Sequence, residues 1–198
     1  MAAAAGISVP RTRLFEEGGR AHFMTERFDR VDSGRLHMQT LTALAHFDFN
    51  MAGAHSYEQA IDVMRRLRLS NADLVEQFRR ALFNVVARNQ DDHTKNISFL
   101  MNRTGEWSLS PAYDITYSYN PQGDWTSSHQ MTLNGKRNDF DRADIAAFAT
   151  SVDLTAVEGL KILDNIIEVV GVWRSFAADV GVPEQMASGI QANLRVDL

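Results

Sequence analysis

The stretch from Asn84 to Leu100 constrains this chain more than any other. Leading into it, Leu74, Val75, Phe78, Leu82, Val85 and Val86 recur at steps of three and four, the pattern of a helix with one buried stripe. The stripe gives out near Asn89. Beyond Asn96 the side chains alternate, with Ile97, Phe99 and Met101 on one side, as in a half-buried strand. Arg103-Thr104-Gly105 offers a turn and Glu106–Leu109 a returning strand. At the junction of helix and strand stand Asp91, Asp92, His93, Lys95 and Asn96, all within six residues.

Asp91 and Asn96 are five positions apart. That is the spacing of a phosphotransfer loop in which an Asp takes the proton of an acceptor hydroxyl and an Asn holds Mg²⁺. Such chemistry asks a protein for positioning and charge stabilisation, so hard oxygen ligands are needed nearby. Asp114, beyond the hairpin in Pro111-Ala112-Tyr113-Asp114, stands where a second, phosphate-bridging metal carboxylate would be wanted. Lys95 would neutralise charge on the transferring group. His93 would brace the loop, because Mg²⁺ prefers oxygen to imidazole. Taken singly, each is an ordinary loop residue. The order helix, acidic loop, apolar hairpin, further acid gives them joint meaning.

The remaining elements surround this unit. Ala2–Ala5 read as the end of a helix closed by Gly6. Thr12–Glu17 and Arg20–Arg27 form a hairpin around Gly18-Gly19, and Asp32-Ser33-Gly34 a turn. His37–Phe49 is helical in pattern. Ser56 with Gln59 makes a capping box for a helix over Tyr57–Leu67, and Asn71 caps the next helix. Arg79, Arg80 and Arg88 fall on the later turns of that helix, where cations complement its dipole. Gln130–Leu133 is a short strand ended by Asn134-Gly135. Helices follow over Arg142–Thr150, over Thr155–Asp179 with Leu160, Leu163, Ile167, Val170 and Trp173 inward, and over Glu184–Leu194. The scattered methionines read as core filler, and Trp107, Trp125 and Trp173 as packing residues.

Composition excludes several classes. With 44% hydrophobic and 23% charged residues over 198 positions, a sizeable core is expected. A net charge of −5 argues against a nucleic-acid surface as the main business. The absence of cysteine removes disulfides and thiolate metal sites and fits a cytoplasmic location. No apolar run approaches the roughly 20 residues of a membrane span.

Asn89-Gln90-Asp91-Asp92-His93-Thr94-Lys95-Asn96 and Leu109-Ser110-Pro111-Ala112-Tyr113-Asp114 closely resemble the HipA family of toxin serine/threonine kinases, with loop N-x-D-x-H-x-K-N and later element L-x-P-A-Y-D. Glu26-Arg27-Phe28-Asp29-Arg30 resembles the family's E-R-F-D-R hinge, and Asn134-Gly135-Lys136 its N-G-K segment. The resemblance implies an α+β, mainly α fold: a protein-kinase-like C-lobe (residues 31–198) with small β-hairpins and a hinge. Residues 1–30 would be a remnant of N-lobe strands, the N-lobe being largely absent. It implies ATP and Mg²⁺ as cofactors, Asp91 as base, and Asn96 and Asp114 as metal ligands. The backbones of Glu26 and Phe28 would meet the adenine edge. The implied partners are a helix-turn-helix antitoxin and a protein substrate. Two departures stand out. Asp92 replaces a small residue and would raise the Asp91 carboxyl or act as a rival base. The residues before the hinge hold no Lys and no Gly-rich phosphate loop, so a truncated product or a separate N-lobe chain is expected. Two other readings stay open: a small-molecule phosphotransferase of the aminoglycoside or choline kinase type, and an inactive pseudokinase fragment acting as a binding module.

Overall fold

The computed structural model describes residues 1–31 and 34–198. The expected turn over Asp32-Ser33-Gly34 lies in part outside the described residues. Antiparallel strands β1 (Thr12–Glu17) and β2 (Arg20–Thr25) form a two-stranded ribbon through the Gly18-Gly19 turn, with Thr12 opposite Thr25 and Glu17 opposite Arg20. Gly18 and Gly19 both take positive φ, which an L side chain would resist. A second pair, β3 (Arg30–Val31) and β4 (Gly34–Arg35), follows the hinge segment.

The third sheet has three strands in the order β5 (His37–Thr40), β6 (Ser98–Met101), β7 (Trp107–Leu109). The helical expectation for His37–Phe49 therefore fails at its start. His37–Thr40 pairs with β6, Thr40 lying opposite Ser98, and only α1 (Leu41–Ala45) is helical, capped by the Thr40 hydroxyl. The strand's partner lies some sixty residues away in sequence and leaves no local signature. Both edges of β6 are thus covered, and the acidic junction that precedes it is anchored in sheet.

Helix α2 (Tyr57–Arg66) carries the expected Ser56–Gln59 capping box. Helix α3 (Asn71–Val86) is capped by Ser70 with Asp73, not by Asn71, which is its first helical residue. Its cations do not sit at its C-terminus as expected. Arg80 is buried in an ion pair with Glu76 at 2.9 Å, and Arg79 bonds the Ala5 carbonyl at 3.2 Å. The Ala2–Ala5 turn, closed by Gly6 at φ +80°, is thereby docked on α3.

The C-terminal part is α4 (Arg142–Ala149), α5 (Ala156–Gly171), α6 (Trp173–Asp179) and α7 (Glu184–Gln191). The expected single helix over Thr155–Asp179 breaks at Gly171-Val172, and Ile166 rather than Ile167 is fully buried. Residues 130–133 make only isolated bridges, Ser56 to Thr132 and Leu133 to Lys136, instead of a strand.

One hydrophobic core joins α2, α3, α4 and α5, with Tyr57, Phe78, Leu82, Phe148 and Leu163 fully buried. Helices α4 and α5 approach so closely that a Cβ on Gly159 would lie 2.5 Å from that of Ala149. Met64 and Met131 fill the core as expected, but Met24, Met51 and Met186 are exposed, and so is Trp125. Among the described residues no helix is long and apolar enough to cross a membrane.

Candidate functional site

Helix α3 ends with Ala87 as its cap, and Arg88 takes a left-handed φ of +57°, turning the chain sharply toward β6. Residues 89–97 therefore descend along the core rather than into solvent. Asn89, Gln90, Asp92 and Thr94 are buried, while Asp91 and Lys95 keep contact with water. Thr94–Asn96 close as a single 3₁₀ turn, and the hydroxyls of Thr42 and Thr94 meet at 2.7 Å, tying α1 to the loop.

A small cavity of about 30 Å³ lies behind this turn. Its walls include His93 and Asn96 from the loop, Gln77 and Arg80 from α3, and Asp114 from the segment after β7. The structure thus brings Asn96 and Asp114 to one space. The Asn96 side-chain NH₂ donates to the Asp91 carbonyl at 3.0 Å, which aims its amide oxygen away from that bond. Asp114 adopts φ +54°, a conformation that Asn and Asp tolerate best after Gly. Among the described residues its carboxylate has no hydrogen-bond or ion-pair partner; only its backbone carbonyl is held, by Asn89 at 3.4 Å.

One hydrogen-bonded circuit links the two halves of the site. The Asp91 N–H donates to the Ser118 hydroxyl at 3.0 Å, and that hydroxyl donates to the Asn89 amide oxygen at 2.9 Å. The Asn89 NH₂ reaches both the Asp114 carbonyl and, at 3.0 Å, the Asn84 side-chain oxygen. The backbones under Asp91 and Asp114 therefore share one brace, supplied by Asn89 and Ser118. In the sequence Asn89 opens the loop motif without a role of its own, and Ser118 does not stand out. Asn89 reads there as a helix-ending residue, and Ser118 lies in an irregular segment.

The other candidates are placed as follows. His93 Nε2 is 3.8 Å from an Asp91 carboxylate oxygen, beyond hydrogen-bond range, and its Nδ1 is buried without a partner among the described residues. The Lys95 ammonium rests 3.6 Å over the Phe49 ring and does not line the cavity. Phe28 stands 5.7 Å from the Tyr113 ring, next to Asp114, so the Glu26–Arg30 segment adjoins the site. The Glu26 N–H is spent on the Arg11 carbonyl at 2.9 Å. The Glu26 carbonyl and Phe28 N–H carry no backbone hydrogen bond among the described residues. Between Arg27 and Arg30, Asp29 stiffens the hinge. The Arg27 hydrogen bonds and the charges of both arginines outweigh burial and bring the Asp29 carboxyl down to about 2.

Asp92 does not behave as a rival base. It is buried, and its carboxylate is taken up by hydrogen bonds from the Tyr57 hydroxyl at 2.7 Å and the Gln130 N–H at 2.7 Å, with His129 Nδ1 at 2.8 Å. Burial pushes its carboxyl up, but positive charge on the His129 side, and hydrogen bonds from the His129 ring, the Tyr57 hydroxyl and the Gln130 amide, outweigh burial and hold it below the usual range.

The donor set fits magnesium. Among the described residues no cluster of three or more His, Cys, Asp or Glu side chains forms a closed cage. Asn96 and Asp114 offer one amide and one carboxylate oxygen, the sparse kind of set Mg²⁺ uses when phosphate oxygens and water complete its shell.

Comparison with known proteins bears on the family and the fold. The chain is similar over residues 1–189 to the HipA-like C-terminal domain. Two proteins of Sinorhizobium fredii are similar to it. "Putative kinase Y4dM" is 26% identical over 178 residues, covering 85% of this chain and 42% of that protein. "Putative kinase Y4mE" is 28% identical over 125 residues, covering 58% and 30%. The chain thus spans less than half the length of these relatives. In structure it resembles HipA of Shewanella oneidensis MR-1, solved with HipB and its operator DNA. The TM-score is 0.77 at 19% identity, covering 96% of this chain and 50% of that one. At that identity the likeness shows the fold. The chain belongs to the family of HipA-like C-terminal domains.

Proposed function

We propose that this chain is the protein-kinase-like C-lobe, with its hinge, of a HipA-like serine/threonine protein kinase that transfers phosphate from ATP to a protein hydroxyl in the cytoplasm. The observation that carries the reading is the shared cavity of Asn96 and Asp114, with Asp91 braced beside it by the Asn89–Ser118 circuit. Asp91 accepts the proton of the substrate hydroxyl, and its partly exposed side chain leaves room for a large acceptor. Asn96 and Asp114 would hold Mg²⁺, which when bound offsets the charge of the nucleotide phosphates. The Glu26 carbonyl and Phe28 N–H pair with the adenine edge. Lys95, leaving the Phe49 face, supplies a mobile positive charge near the phosphates. His93 fills the back of the loop.

The rest of the site comes from another element. Leu14, Phe15, Phe23 and Met24 on the β1–β2 ribbon are 40–71% exposed, and an isolated hairpin gains little stability by itself. An N-lobe, supplied by a longer chain or in trans, covers the ribbon and contributes the phosphate-binding groups. The naming of the relatives as kinases supports the activity, and the HipB complex of the Shewanella protein supports a helix-turn-helix antitoxin as partner.

The test is transfer of radiolabelled phosphate from ATP to protein, with the N-lobe restored. Asp91→Asn should lower transfer by at least about a hundredfold. Equal labelling by wild type and Asp91→Asn would refute the assignment. Labelling of aminoglycosides or choline in place of protein would turn the reading toward a small-molecule phosphotransferase.

A further inference from the structure

Arg195, three residues from the last position, reaches the loop described above through two buried side chains. Its guanidinium lies 3.1 Å from His129 Nε2, and His129 Nδ1 lies 2.8 Å from the Asp92 carboxylate. His129 is 1% exposed and Asp92 is 4% exposed. A guanidinium has only N–H donors, so His129 Nε2 must present a lone pair to it. The side of the ring that faces an ionised carboxylate must then carry the proton. Both constraints together fix His129 as the neutral Nδ1–H tautomer, and they reject an imidazolium paired with Asp92.

The positive charge that balances buried Asp92 therefore resides on Arg195, one ring away. Arg195 is itself firmly held. Its N–H donates to the Val86 carbonyl at 3.0 Å, its Nη2 to Asn138 at 2.7 Å, and Arg88 grips the neighbouring Asn193 carbonyl at 2.8 Å. Burial first, then the nearby Arg88 charge, brings the Arg195 guanidinium down to about 10, which leaves it protonated at neutral pH. The other groups around the relay are Asp139 on the Arg195 side, Arg137, which bonds the His129 carbonyl at 2.6 Å, Tyr57 on Asp92, and the edge-on Phe140 ring.

We propose that Arg195 acts through a neutral His129 ring and Asp92 to hold the 91–96 loop in register, as a positioning residue for the groups at Asp91 and Asn96. The relay spans three separate parts of the chain: the C-terminal segment, the 127–138 loop and the acidic junction. It presses on the residue adjacent to Asp91. Its positioning role rests on the kinase reading; the tautomer and the latch do not.

The experiment uses nitrogen NMR of the imidazole rings and amide hydrogen exchange on the full chain, for wild type, Arg195→Met and Arg195→Lys. In wild type at neutral pH, His129 should show a protonated Nδ1 and a bare Nε2. Methionine keeps much of the packing and offers no donor. In Arg195→Met the amides of residues 91–96 and Gln130 should exchange about tenfold faster or more. Arg195→Lys, which keeps charge and donor, should restore slow exchange. A doubly protonated His129, or an Nε2–H tautomer, in wild type at neutral pH would overturn the proposal, and that spectrum needs no variant. So would Arg195→Met exchanging like wild type. If phosphate transfer is absent while these signatures appear, the kinase reading fails and the relay stands. If transfer is present and Arg195→Met changes neither exchange nor turnover, the relay fails alone.

Discussion

Replacing Asp92 by Asn is the sharpest test of how the loop is held. The wild-type carboxylate receives three donors, the Tyr57 hydroxyl, His129 Nδ1 and the Gln130 N–H, all within 2.8 Å. An asparagine offers one oxygen and an NH₂, so at least one of these donors must face a donor. The change also leaves the half-buried Arg195 charge without the anion it faces through His129. Breaking one side of a buried charge pair costs about 3–5 kcal/mol, and a hydrogen bond to a charged group contributes about 1.5–3 kcal/mol, so a loss of about 3 kcal/mol is expected. With a urea slope of about 3 kcal/mol per molar for a domain this large, the midpoint should fall by about 1 M. The pH dependence fixes the sign. The folded-state Asp92 carboxyl lies below its unfolded value, so its stabilisation is complete above the unfolded pKa and disappears as pH falls through the folded one. The gap between wild type and Asp92→Asn should be constant from about pH 8 to about pH 5 and close below about pH 4. A midpoint shift under about 0.2 M at neutral pH, or a gap that widens in acid, would refute the account of Asp92 as a satisfied anion.

Asp114→Asn keeps a residue that tolerates φ +54° and removes a carboxylate with no protein partner among the described residues, so thermal stability should stay within about 0.5 kcal/mol while magnesium-dependent nucleotide binding is lost by calorimetry. Gly159→Ala should destabilise despite the better helix former. Overlap with Ala149 at 2.5 Å and Phe78 at 3.3 Å costs about 1–3 kcal/mol, read as a melting temperature lower by several degrees. Ser70→Ala should lose about 1 kcal/mol in urea unfolding and Asn71→Ala much less, because the Ser70 hydroxyl caps α3.

The sequence disclosed what local chemistry encodes. The Gly18-Gly19 ribbon, the Ser56–Gln59 box, the apolar stripe of α3 and the β6–β7 hairpin all follow from neighbours within a few residues. What it concealed depends on distant partners. His37–Thr40 is a strand only because β6 lies beside it, and Thr40 doubles as the α1 cap, so the apolar spacing of Leu41 and Leu44 misleads about the preceding turn. Arg80 reads as a dipole-facing cation until its buried ion pair with the half-buried Glu76 is seen. Of the residues that type and spacing single out, Asn96 and Asp114 do line one cavity. Ser118, which braces the backbones together with Asn89, is a generic polar residue in an irregular segment. The Asp92–His129 contact joins positions 37 apart, and no periodicity links them.

The central claim is that Asn96 and Asp114 serve one metal–nucleotide site. Manganese, a paramagnetic stand-in for magnesium, titrated with ATP into the ¹⁵N-labelled protein reports this directly by broadening nearby amide signals. The account predicts that Asn96, Ile97, Asp114 and Ile115 broaden together, and that Asp114→Asn abolishes the effect at all four. Broadening confined to one of the two segments, or centred elsewhere in the fold, would contradict it.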